Sequence, residues 1–169
     1  MELPKRKQVR LKDYDYSAPG AYFVTICTQD KTHLFEMENV GNDLCVVPPP
    51  QNQIIHKYLA EVENKFDNVK IDKYVIMPNH LHIIVVITER HAGRSLQDIM
   101  KWFKTMVTNE YIALTKTGQC RAFDKKLFQK SYHDHIIRGE KDYQKIWEYI
   151  DTNVIKWEDD CFYESKKEQ

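Results

Sequence analysis

The chain has 169 residues, 42% of them hydrophobic and 30% charged, a length and balance that suit one soluble domain with a real core and exclude an intrinsically disordered chain. Lys plus Arg and Asp plus Glu stand at 25 each, so net charge lends no support to binding a polyanion, and no apolar run approaches the roughly 18 residues of a membrane-spanning helix. The four cysteines, Cys27, Cys45, Cys120 and Cys161, share no zinc-site spacing, and no apolar leader follows the basic N-terminus, so the expected setting is a reducing cytoplasm without a membrane partner.

In chain order, the opening "MELPKRKQVRLK" carries five basic residues against one acidic. It is expected as an arm over about residues 1–12, in which Lys5, Arg6, Lys7 and Arg10 either reach phosphates or form a solvated tail. "GAYFVTICTQD" alternates Tyr22, Val24 and Ile26 against Phe23, Thr25 and Cys27, the period of a strand. "HLFEMENVGNDLCVVPPP" reads as a connection, with turn residues for a short hairpin. From Gln51 to Phe66, the positions Ile54, Ile55, Tyr58, Leu59, Val62 and Phe66 recur at helical spacing. "VKIDKYVIM" and "HLHIIVVIT" flank Pro78-Asn79 as the arms of a hairpin. "SLQD" predicts a capping box of Ser95 and Asp98, opening a helix whose apolar stripe is Leu96, Ile99, Met100, Phe103, Met106 and Val107. "TKTGQCRAFDKK" reads as a loop. "YHDHII" is a last short strand, and Tyr143, Ile146, Trp147 and Ile150 space a last helix. The three tryptophans, Trp102, Trp147 and Trp157, fall within helical patterns and are expected in the core. The chain closes on "EDDCFYESKKEQ", an acidic tail over about residues 158–169 with five acids against two bases. The order strand, helix, hairpin, helix, strand, helix predicts an α+β fold over residues 1–169, a ferredoxin-like antiparallel sheet with helices packed on it.

The chemistry centres on "PNHLHII". Side chains alternate along a strand, so His80 and His82 share a face, where they either grip one ion or serve as two half-buried structural histidines. Tyr149 and Asn153 stand four apart on the last helix, on neighbouring turns of one face. If that helix docks beside the histidines, Asn153 can add an amide oxygen to an ion held by His80 and His82, with Tyr149 one turn away. Two imidazoles, an amide oxygen and open positions suit Mg²⁺ or Mn²⁺ gripping a substrate phosphate, with zinc as the chemical rival. A free phenol titrates near 10, so roughly one in a thousand is ionised at neutral pH; a cation polarising the phosphodiester compensates for so weak a nucleophile. The packing alternative for Tyr149 stays open, because a helical tyrosine near Ile146 and Ile150 is also a core residue. His133 and His135 form a second H-x-H, which opens a four-histidine metal hydrolase as a rival. Between Arg94 and His135 there are eight Lys or Arg against four acids, a local basic surface that includes Lys101, Lys104 and Lys130 or else a solvated mixed-charge face.

"PNHLHIIV", followed by "YHDHIIRGEKDYQKIWEYIDTNVIKW" and preceded by "RLKDYDYSAPGAYFVTICTQDKTHLF", resembles the REP-associated tyrosine transposases, a branch of the single-tyrosine transposases with the HUH motif. The resemblance runs from about Arg6 to Trp157. It implies a HUH-type fold and a metal-dependent single-stranded DNA endonuclease and strand transferase, acting near palindromic hairpin repeats through a 5′-phosphotyrosine intermediate. Carried onto this chain, it makes Tyr149 the nucleophile and His80, His82 and Asn153 the holders of Mg²⁺ or Mn²⁺; His135 matches a position where the family commonly has His, and is either an accessory residue near the DNA or a hydrogen-bonded structural histidine. The expected partner is single-stranded or hairpin DNA, and the resemblance leaves a homodimer open. A non-catalytic hairpin DNA-binding protein derived from a transposase is the alternative of a different class. Where the family often has Asn-Pro, this chain has Asn153-Val154, so the pattern supplies no stop signal for the last helix.

Overall fold

The computed structural model describes residues 14–38, 47–89, 95–159 and 163. The basic arm, Cys45, Cys161, Arg94 and most of the acidic tail lie outside the described residues. Strand β1 (Gly20–Cys27) leads to helix α1 (Pro50–Lys65), strands β2 (Val69–Met77) and β3 (His80–Ile87), helix α2 (Leu96–Lys116), strand β4 (His133–Ile137) and helix α3 (Glu140–Thr152). Neighbouring strands are antiparallel in the order β2-β3-β1-β4. This is the ferredoxin-like order. Each of α1 and α2 crosses between strands separated by one antiparallel neighbour, and crossovers of one hand bring both helices to the same face.

Apolar alternation decides what each face holds. On one side Tyr22, Val24 and Ile26 of β1 and Leu81, Ile83, Val85 and Ile87 of β3 meet the stripes of α1 and α2, with Ile55, Val62, Phe103 and Val107 fully buried. The other side carries Val75, Met77 and Ile84, covered by Ile150 of α3 and by Trp157, with Phe23, Val86 and Ile137 at its rim. Strand β3 is therefore buried on both faces, which explains its near-continuous apolar run. A register shift between Ile71 and Lys73 lets Ile71 and Val69 keep facing α1 while Lys73 turns towards α3.

The predicted elements form, with differences at their ends. Ser95 and Asp98 make the capping box, the Asp98 carboxylate accepting from the Ser95 N–H at 2.9 Å. Helix α2 extends two residues into the expected loop and stops at Gly118, whose φ of 74° is a left-handed conformation that suits glycine. Of the connection after β1, Glu38 bridges Ile76 at the edge of β2; residues 39–46, which would close the expected short hairpin, lie outside the described residues. Helix α3 ends at Thr152 without a proline. Asn153 takes the cap position, and the chain turns through Ile155 N–H and Lys156 N–H, both bonded to the Thr152 carbonyl. That turn brings Trp157 back under the sheet. Trp147, expected in the core, is 40% exposed, because it points along the α3 surface to the Lys73 ammonium, 3.0 Å from its ring centre.

Candidate functional site

The β2–β3 turn fixes where the histidines start. Its carbonyls are held from the segment after β1: Asn79 O accepts from Thr28 N–H at 2.9 Å and Thr28 Oγ1–H at 3.0 Å, and Pro78 O accepts from Leu34 N–H at 2.9 Å. The register then sets Cys27 opposite His80 and Thr25 opposite His82. His80 and His82 are 0% and 1% exposed, and their Nε2 atoms lie 3.0 Å apart.

Each outer ring nitrogen has a polar neighbour. His80 Nδ1 is 2.8 Å from Asn79 Oδ1, an acceptor, so Nδ1 carries the proton and Nε2 keeps its lone pair. His82 Nδ1 is 2.9 Å from Thr25 Oγ1; with the ring proton on Nδ1, the hydroxyl oxygen accepts it and the second lone pair also turns inward. Phe23 stacks on His82 with ring centres 5.2 Å apart and 25° between planes, and Trp157 covers His80 at 5.7 Å. These apolar covers limit water around the pair. Two buried imidazoles with outer nitrogens engaged and inner nitrogens 3.0 Å apart are a pair that could hold a cation.

Helix α3 brings the phenol to this pair. Gly139, with φ of 83°, turns the chain between β4 and α3 in a conformation open to glycine but strained for other residues. Ile150 inserts fully into the apolar sheet face, Tyr143 donates to Asp72, and Lys73 bonds Asp151 at 2.7 Å. With the helix so fixed, Tyr149 places its hydroxyl 3.3 Å from His82 Nε2 and its ring edge-on to Phe23 at 6.0 Å. The residue is 39% exposed, so a large substrate can reach an oxygen whose neighbours are buried. Tyr143, the tyrosine of the expected helical stripe, is less acidic than a free phenol: burial, then the bond to Asp72, push it up to about 12. Asn153 is 2% exposed and retains αR geometry, one turn beyond Tyr149 on the same helical face.

The structure thus brings His80, His82 and Tyr149 into direct contact and buries Asn153 one turn beyond Tyr149. It does not gather four histidines. His133 and His135 sit opposite Thr25 and Phe23 on the outer strand, where both are exposed, and His135 Nε2 is 2.9 Å from Asp142. Among the described residues no group of three or more His, Cys, Asp or Glu side chains can hold a metal ion, which removes the four-histidine site. Asp142 instead serves the start of α3: the Arg138 N–H, then the His135 ring, hold its carboxyl below the usual range. Lys101 and Lys130 are exposed, whereas Lys104 Nζ donates to the Gln129 and Lys130 carbonyls at 2.5 and 3.1 Å.

Sequence reading missed Thr25, Asn79 and Phe23. Their signals are modest but present: Asn79 immediately precedes the H-x-H, and Thr25 is a polar residue amid a strand of apolar ones.

Known proteins share this fold. Residues 22–153 match the model of the IS200-like transposase family. The chain is 33% identical to an uncharacterized protein of Haemophilus influenzae, over 94% of this chain and 93% of that one. It is 26% identical to a second protein of that organism, provisionally named a REP-associated tyrosine transposase, over 84% and 74% of the two chains. Among solved structures it resembles a REP-associated tyrosine transposase bound to a REP hairpin, with a TM-score of 0.58 and 21% identity, covering 88% of this chain and 73% of the other. A crystal structure from Deinococcus radiodurans, provisionally named a transposase, is similar with a TM-score of 0.51 and 14% identity, over 85% and 95%. Sheet order, paired imidazoles and helical phenol stand together within the matched span, and the chain belongs to the IS200-like transposase family.

Proposed function

We propose that this chain is a metal-dependent single-stranded DNA endonuclease and strand transferase, with Tyr149 as nucleophile, working beside palindromic hairpins. The observation that carries the reading is the contact of an exposed phenol, 3.3 Å from His82 Nε2, with a buried imidazole pair. The REP hairpin held by the structurally similar transposase supports hairpin DNA as the partner.

The donor set fits a divalent cation. Two imidazole nitrogens converging 3.0 Å apart, with one amide oxygen and positions left open for a substrate phosphate, suit Mg²⁺ or Mn²⁺, with zinc as the chemical rival. His80, His82 and Asn153 would hold it. When bound, the ion supplies charge stabilisation to the non-bridging phosphate oxygens.

The chain's own groups do the rest. Tyr149 Oη forms a bond to phosphorus as the bond from phosphorus to the 3′ oxygen breaks. The phenol gives up its proton and the departing 3′ oxygen gains one, so one phosphate ester is exchanged for another. A 5′-phosphotyrosine and a free 3′-hydroxyl result, and attack by a second strand's hydroxyl reverses the exchange. Phe23, edge-on to the nucleophile and stacked on His82, holds both rings in one arrangement, a positioning contribution.

The test is a labelled single-stranded oligonucleotide with a hairpin, incubated with protein and Mn²⁺ and run on a denaturing gel. A protein–DNA adduct that survives boiling, is lost in Tyr149→Phe and is reduced at least tenfold in His80→Ala is the expected result. Binding without any adduct would make the chain a non-catalytic hairpin binder, and cleavage that persists in Tyr149→Phe would remove the phenol from the chemistry.

A further inference from the structure

His82 Nε2 faces two claims on a single lone pair. With the ring hydrogen on Nδ1, directed at Thr25 Oγ1 2.9 Å away, Nε2 is the one acceptor nitrogen of that imidazole. The Tyr149 hydroxyl lies 3.3 Å from it, and the phenol is the donor, because a ring nitrogen without hydrogen only accepts. We infer that Tyr149 and the divalent cation compete for this lone pair, so that His82 holds the nucleophile back until it takes up an ion and the hydroxyl is released. The inference rests on the nuclease reading and deepens it to the regulation of that site.

The imidazole pair calls for an electropositive partner. The Nε2 atoms of His80 and His82 are 3.0 Å apart, and with Asn79 and Thr25 on the outer nitrogens their lone pairs are directed at each other. Both rings are buried, at 0% and 1% exposure, where the repulsion between lone pairs is poorly screened. The phenol hydrogen relieves His82 alone, whereas a cation satisfies both nitrogens, which makes the cation the stronger competitor.

The hydroxyl also has an easy exit. Rotation about its Cζ–Oη bond turns the hydrogen away while the ring stays edge-on to Phe23 and the helix stays anchored by the fully buried Ile150. Tyr149 is 39% exposed, so water accepts the hydrogen bond that His82 gives up. The exchange bears on the chemistry as well. An imidazole whose lone pair is on an ion accepts no proton, so His82 is excluded as the general base for Tyr149, and the phenol's proton leaves from the exposed side of the ring.

The test titrates Mn²⁺ alone into the DNA-free full chain and reads free Mn²⁺ by electron paramagnetic resonance, for the wild type, Tyr149→Phe and Tyr143→Phe. Tyr149→Phe keeps the ring and removes only the competing hydroxyl, so it should bind Mn²⁺ about two- to tenfold more tightly, the range set by one hydrogen bond of ordinary net strength. Tyr143→Phe removes a phenol from the same helix whose partner is Asp72 and should match the wild type. Equal affinity in Tyr149→Phe overturns the competition, and weaker affinity overturns it by making the phenol a ligand. Equal tightening in Tyr143→Phe overturns it by tracing the effect to a loosened helix, and a wild type and Tyr149→Phe that both fail to bind Mn²⁺ leave nothing to compete. Adduct formation by the wild type, assayed in parallel, separates the two readings: tighter Mn²⁺ binding by Tyr149→Phe without any wild-type adduct sinks the nuclease and not the competition, whereas an adduct with equal affinities sinks the competition alone.

Discussion

Two hydroxyl and amide groups decide whether the histidine pair is a ligand set or simply a polar defect in a core. Buried imidazoles have to direct both nitrogens somewhere, and Asn79 and Thr25 take the outer ones. Thr25→Val keeps the volume but removes the oxygen at 2.9 Å from His82 Nδ1. It should lower Mn²⁺ affinity about 10- to 100-fold, the usual consequence of losing an outer-shell partner, and Thr25→Ser should restore it. Electron paramagnetic resonance of free Mn²⁺ in DNA-free samples reads this without any turnover; equal affinity in the valine variant ends the orienting role. The histidines were legible because H-x-H on an apolar strand is conspicuous. Thr25 was not, because its partner is 57 residues away and only the strand register pairs them.

The helices are held with unequal firmness. Of the 13 residues of α3, Ile150 alone is buried, while α1 and α2 each bury six. Amide hydrogen exchange should therefore be faster in α3 than in the interiors of α1 and α2, because its local opening exposes little apolar surface; equal protection would refute this. Ile150→Ala should cost about 2–5 kcal/mol if the site does not collapse and should lower adduct yield by releasing Tyr149. The α1–α2 pair has a pH-sensitive link. Lys57 at 2.6 Å, then Tyr58, hold the Glu110 carboxyl below its usual range. Its folded pKa is depressed, so the stabilisation is present above the unfolded value of about 4.3 and is lost as pH falls through the folded value. Glu110→Gln should cost about 0.5–1 kcal/mol at pH 7, and urea titrations should show the gap to wild type closing in acid. Apolar period made these helices readable in advance. The end of α3 was not, since its stop after Thr152 comes from Trp157 docking against His80, a tertiary contact absent from local sequence.

At the scale of the molecule, 25 positive and 25 negative charges cancel, and the sum conceals a separation. Lys101, Lys104, Lys125, Lys126 and Lys130 line a surface between α2 and residues 123–132, on the face opposite the imidazole pair. Their positions span Lys101 to Lys130, interleaved with acids, so the chain alone showed a basic region but not the side of the sheet it occupies. A neutral protein has little long-range attraction for DNA, and binding must come from short-range contacts that salt weakens. In the proposed reaction the reacting oxygens would meet Tyr149 beside the buried His80 and His82 rings, where screening is weak. Binding and chemistry should then respond differently to salt. Raising KCl should steeply increase the hairpin concentration needed for half-maximal adduct formation, while the rate at saturating DNA stays within about twofold. Single-turnover gels at several hairpin concentrations measure both quantities. A saturating rate that falls in step with affinity would mean that screened charges also act at the phenol, and the separation of binding from chemistry would be lost.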